Sequence, residues 1–196
     1  MNSPRDADTS ASLLIRIRDQ QDSDAWTTFV AVYSPLVRRY CVRKGMQAAD
    51  AADITQEVMG RVTKSIATFE YDPSRGRFRS WLGTLITREI ANHYARDGRR
   101  PDDLANLGHA AAPDRQWDDE FTDHVLAVAM DRCRCEFEAS TWAAFEATWV
   151  RQEPPAEVAG RLGMAVHAVY VNKSRVLKRL EVEIRLLADD LPITPT

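Results

Sequence analysis

The chain has 196 residues, 44% of them hydrophobic and 28% charged, with a net charge of −3 at pH 7. That length holds one domain or two small ones around a packed core. No apolar run approaches the roughly 18 residues of a membrane-spanning helix, and the polar start, MNSPRDADTS, lacks the apolar core of a signal peptide.

Helical periodicity runs almost throughout. Leu13, Leu14 and Ile17 mark a short first helix. Asp22 or Ser23 caps a second, with Trp26, Phe29, Val30 and Tyr33 on one face. Ser34-Pro35 predicts a restart or kink, because proline fits best in a first turn. Leu36, Val37 and Tyr40 continue the apolar face until Gly45. Asp50 or Asp53 opens a third helix, in which Ile54, Val58, Val62 and Ile66 recur every four residues. Asp72-Pro73-Ser74-Arg75-Gly76 reads as a turn. A fourth helix carries Phe78, Trp81, Leu82, Leu85, Ile86 and Ile90.

Gly98 to about Pro113 lacks periodicity and reads as a linker. Helical signal returns near Phe121, and Trp142, Phe145 and Trp149 form a further stripe. Pro154-Pro155 breaks the chain before two last helices, the second from about Val166 to Leu187. The tail, Pro192 to Thr196, reads as disordered. The expected fold is all-α: an N-terminal helical bundle over 10–100, an acidic linker over 101–120 and a C-terminal helix-turn-helix domain over 121–190.

Charge is segregated along the chain. Arg75 to Arg100 carries seven arginines against Glu89 and Asp97, and Arg151 to Leu180 carries six Lys/Arg against Glu153 and Glu157. Between them, Pro101 to Asp123 carries seven acids against Arg115. Two basic blocks flanking an acidic one point to two contact surfaces and a connector. The three cysteines, Cys41, Cys133 and Cys135, are an odd set without a leader, which fits a reducing compartment. Cys133-x-Cys135 is poor zinc spacing.

Three segments carry the functional reading. PAEVAGRLGMAVHAVYVNKSRVLKRL, Pro155 to Leu180, has the helix-turn-helix spacing. Small Ala159 lets two helices cross, Gly163 permits the turn and Val169 locks the second helix to the core. In Arg75 to Arg100, Arg88, Asn92, Arg96 and Arg99 share one side of a helix whose apolar residues point elsewhere. That side is either a solvated arginine face or one that follows a phosphate backbone while Asn92, His93 and Tyr94 meet bases. Asp50, Asp53 and Glu57, with Gln56 beside them, are either charge complementing a helix dipole or a protein-binding face.

In order, DAADITQEVMGRVTKSIATF, RFRSWLGTLITREIANHYARDGRRP and EVAGRLGMAVHAVYVNKSRVLKRL resemble a bacterial RNA polymerase sigma factor of the extracytoplasmic-function (ECF) group of the sigma-70 family. The specific pattern is D-x-x-Q-E, then F-R-x-W-L, then G-R-R, then a C-terminal helix-turn-helix. The resemblance covers nearly the whole chain and implies a cytoplasmic transcription initiation factor that reads −10 and −35 promoter elements and assists melting.

By position, the resemblance implies that Asp53, Gln56 and Glu57 dock on core RNA polymerase. It implies that Arg88, Asn92, Arg96, Arg99 and Arg100 meet the −10 element. Tyr170, Asn172, Lys173, Ser174, Arg175 and Lys178 would lie in the −35 major groove. The implied partners are core RNA polymerase, promoter DNA and a sequestering anti-sigma factor.

Two departures fall on base contacts. Tyr170-Val171 stands where many relatives have a basic residue and Ser, and Arg88 where a small polar residue is frequent. The rival reading is a stand-alone helix-turn-helix regulator, which would bind a palindrome as a dimer without polymerase. No Gly-rich phosphate loop, H-E-x-x-H motif or nucleophile elbow occurs, so no catalytic residue, cofactor or metal is expected.

Overall fold

The computed structural model describes residues 12–66, 78–96 and 115–188. Among these residues there are eight α-helices and no strand. They are α1 (Leu13–Arg16), α2 (Ser23–Arg43), α3 (Ala48–Ser65), α4 (Phe78–Arg96), α5 (Arg115–Arg134), α6 (Ala139–Phe145), α7 (Pro155–Leu162) and α8 (Val166–Leu187). A π turn, Glu146–Val150, extends α6.

The helix starts follow local chemistry. The Ser12 hydroxyl accepts the Ile15 N–H at the head of α1. Asp22 caps α2 by accepting the Ala25 N–H at 2.9 Å, satisfying a donor that the helix leaves open. The same carboxylate takes Arg16 Nε and Nη2, each at 2.9 Å, tying α1 to α2 and holding its pKa below the ordinary value. α3 begins at Ala48, ahead of both aspartates expected to open it, so Asp50 lies in its first turn.

Pro35 sits inside α2, which runs unbroken from Ser23 to Arg43. The expected restart at Ser34-Pro35 does not occur. A mid-helix proline costs about 3 kcal/mol. Phe29, Val32 and Tyr33 before it and Leu36, Val37 and Tyr40 after it are all buried, and each such side chain contributes about 1.5–3 kcal/mol. The shared apolar face therefore outweighs the proline. Val30, expected on that face, is exposed.

α2 packs on α3, α3 on α4, and α5 lies against both α2 and α4. α8 returns to pack on α5, α6, α7 and α1. One buried cluster runs through these helices, from Leu13 and Phe29 through Ile54, Phe78 and Trp117 to Leu180 and Leu187. Two polar contacts pin its far ends: the Tyr33 hydroxyl donates to the Leu187 carbonyl at 2.8 Å, and Arg43 pairs with buried Glu120. A separate small cluster of Ala144, Ala147, Val158, Ala159 and Val169 sits under α7.

Most of the expected linker, and the expected turn at 72–76, lie outside the described residues. The rest of the linker does not behave as a connector by itself. α5 starts at Arg115, ahead of Phe121, and Trp117 is fully buried. Its indole N–H donates to the Arg79 carbonyl at 2.7 Å, and its ring meets Tyr40 edge-on at 5.1 Å. Among acids Asp118, Asp119 and Asp123, Trp117 falls in the expected linker, although it continues the stripe of Phe121 and Val125 by one helical turn. Helices on either side of the expected linker thus share a core.

Candidate nucleic-acid interface

α3 and α4 bring the first two sets of site residues together. Ile54, Val58 and Val62 bury one face of α3, which turns Asp53 and Gln56 to solvent and leaves Glu57 half-buried. On α4, Phe78, Leu82, Ile86 and Ile90 point inward, and Arg88, Asn92 and Arg96 are exposed. Arg99 and Arg100 lie outside the described residues.

The set on α3 and the set on α4 touch. Arg96 Nη2 donates to both Glu57 oxygens, at 3.1 and 3.0 Å, and this hydrogen-bonded cation holds the Glu57 pKa below its ordinary value. His93 approaches Asp50 at 3.8 Å. Between the helices opens a cleft of about 780 Å³, walled by Glu57, Arg61, Lys64, Asn92 and Arg96. At its base the Glu89 carboxylate, 1% exposed, meets Arg61 Nε at 2.6 Å. Arg61, Lys64 and Glu89 were not singled out in the sequence. Their signal is the i, i+4 relation of Glu57 to Arg61, which continues the acidic edge of α3 as a basic one.

The C-terminal site is built as the spacing of Ala159, Gly163 and Val169 predicts. Pro154 and Pro155 start α7, since neither needs an N–H there. Gly163 ends it in the left-handed region, φ 64° and ψ 32°, where its missing Cβ avoids strain. The chain turns as the Met164 N–H bonds to the Ala159 carbonyl at 3.0 Å. Ala159 and Val169 are buried together and fix how α8 is rotated.

That rotation sorts the third set of residues. Tyr170, Ser174, Arg175 and Lys178 are exposed on the outward face. Lys173 is half-buried on its flank. Asn172 is half-buried too, its amide directed at Met164 Sδ across 3.9 Å. Arg179 is held by Glu136 at 2.7 Å and Glu183 at 3.0 Å, which raises its pKa further. Val166 and His167, not among the expected contacts, are exposed beside Tyr170. Helical spacing from Tyr170 and Ser174 would have found them once the buried face was known.

Burial pushes the Cys41 and Cys133 thiols up, to about 12 and about 11, whereas Cys135 is exposed. No helix among the described residues is long and apolar enough to cross a membrane.

Residues 29–100 match the sigma-70 region 2 family. The ECF RNA polymerase sigma factor SigE of Mycolicibacterium smegmatis is 27% identical over 143 residues, covering 70% of this chain and 54% of SigE. The ECF RNA polymerase sigma factor RpoE of Cereibacter sphaeroides is 29% identical over 94 residues, covering 47% of this chain and 51% of RpoE. The chain thus spans about half the length of the curated relatives it matches. A chain of the solved RsbN–BldN complex aligns over 86% of this chain and 96% of its own length, at 19% identity and a TM-score of 0.34. The chain therefore matches sigma-70 region 2 over residues 29–100 and is distantly similar to ECF RNA polymerase sigma factors.

Proposed function

We propose that the chain is a transcription initiation factor that binds core RNA polymerase and directs it to promoters. The observation that carries this reading is a sigma-70 region 2 match over 29–100 followed, in the same chain, by a helix-turn-helix over α7 and α8. Asp53, Gln56 and Glu57 on α3 are the docking residues. Arg88, Asn92 and Arg96, with Arg99 and Arg100 beyond the described part of α4, meet the −10 element. The exposed face of α8 enters the −35 major groove, where an α-helix fits. The sigma factor family is non-enzymatic, so the role is recognition and melting rather than catalysis. A partner of RNA polymerase would act in the cytoplasm, and an anti-sigma factor would act by covering one of these faces.

The shared core sets a condition on this function. Elements about 25 base pairs apart are separated by on the order of 85 Å at 3.4 Å per pair. A compact chain of this length has a radius of gyration of about 16 Å. Reading both elements at once therefore requires α5 and α8 to leave α2 and α4, and polymerase supplies the binding energy.

The test is reconstitution with core RNA polymerase. The wild-type chain is expected to bind core enzyme and support promoter-specific run-off transcription. Asp53→Lys with Glu57→Lys, the second of which also breaks the Glu57–Arg96 pair, is expected to weaken core binding at least tenfold while the far-ultraviolet circular dichroism is unchanged, and Asp53→Lys alone, at an exposed position, is expected to weaken it in the same direction. Unchanged affinity rejects the docking face. Sequence-specific DNA binding without polymerase supports the stand-alone regulator instead.

A further inference from the structure

The outward side of α8 carries exposed apolar side chains where it begins, with His167 among them. Val166, Tyr170 and Val171 are 42%, 56% and 40% exposed, three of the eight exposed large apolar side chains among the described residues. None is needed for the core, because Val169 and Val176 hold the opposite side of the helix. Three exposed apolar side chains within six residues put this helix end in a position to make apolar contacts.

Its surroundings indicate what covers it. From Val166 to Leu180 there is no acid, and exposed Arg175 and Lys178 continue the same face. That charge suits phosphates on either side of a groove. The polar groups able to read a base with two hydrogen bonds are partly withdrawn. Asn172, suited to adenine, turns toward Met164 Sδ, and Arg179, suited to guanine, is held by Glu136 and Glu183. Beside exposed His167, the side chains left at the head of the helix are apolar, and the apolar feature of a major groove is the thymine C5-methyl group.

We propose that Val166, Tyr170 and Val171 read thymine methyl groups in the −35 element, so that apolar contact sets much of the sequence preference there. This rests on the reading of α8 as the −35 helix. Each buried methyl is expected to change affinity about fourfold, equivalent to about 0.8 kcal/mol.

The experiment uses the full chain with core RNA polymerase in two parallel selections from random duplex libraries. One library contains thymine. The other contains uracil, which keeps the pairing and the O4 acceptor but lacks the methyl. The expected result is a −35 element containing thymine that loses about fourfold in affinity per position when remade with uracil. Tyr170→Ser with Val171→Ser, both exposed, is expected to reduce the thymine–uracil difference to what Val166 alone provides and keep the −10 preference. A −35 element bound equally with thymine and uracil overturns the inference and leaves the proposed function standing. So does a thymine preference untouched by the double substitution. If the double substitution instead abolishes core enzyme binding, the patch docks protein and the inference fails. If no sequence is enriched in a polymerase-dependent way, the proposed function fails as well.

Discussion

Trp117→Ala tests the shared core most directly. The indole is fully buried, packed edge-on against Tyr40 at 5.1 Å and Phe121 at 5.8 Å, and bonded to the Arg79 carbonyl at 2.7 Å. Truncating a buried tryptophan costs about 3–5 kcal/mol in lost burial and cavity formation. The orphaned carbonyl adds about 1 kcal/mol or more. A total of about 4–6 kcal/mol is a large part of the 5–15 kcal/mol typical of a folded protein. At about 2–4 °C per kcal/mol for this chain length, Tm should fall by on the order of 10–20 °C. Urea and thermal unfolding followed by circular dichroism and tryptophan fluorescence would measure it. The expected result is one transition, shifted as a whole, because α5 joins α2 and α4 to α8. Two separate transitions in the wild-type chain, or a Tm change under about 3 °C in the variant, would refute the argument that both halves fold on one core.

Two further outcomes follow from single groups. His124 is buried; its Nε2–H donates to the Val32 carbonyl at 2.5 Å and its Nδ1 accepts from Arg39 at 2.9 Å, which requires the neutral ring. Burial, countered by the Val32 bond and joined by the Arg39 charge, lowers its pKa. The unfolded chain therefore binds the proton first, and stability should fall as pH drops below about 6.5. His124→Gln should flatten that part of a urea midpoint-versus-pH curve, and an identical slope in both proteins would reject the assignment. Gly163→Ala should lower stability by about 1 kcal/mol, a backbone cost alone, since φ is +64° and nothing lies within 4 Å of the added Cβ. A much larger loss in denaturant titration would mean that the turn is held by more than its glycine.

Much of the fold was legible because local and global preferences agree. The four-residue recurrence of Ile54, Val58, Val62 and Ile66 needs no tertiary information to place it inward, and all four are buried. The helix-turn-helix was equally legible, since Ala159, Gly163 and Val169 each satisfy a steric demand specific to one position. Trp117 was not legible: its acidic neighbours read as a connector, and only the place it fills beside Tyr40 and Phe121 shows why the segment is helix. At Pro35 the sequence left a restart and a kink open, and the restart does not occur, because the local cost is visible in the sequence and the packing that offsets it is not.

The candidate sites divide along that line. Sequence alone determined which helices carry them, because charge and apolar periodicity mark opposite faces of α3, α4 and α8. The tertiary structure decided which side chains are available. Packing against Ala159 sets the rotation of α8, turning Asn172 toward Met164 and Tyr170 to solvent, and α4 crosses α3 where Arg96 meets Glu57. A side chain's partner depends on which helix lies opposite, and that follows from burying all the apolar faces at once.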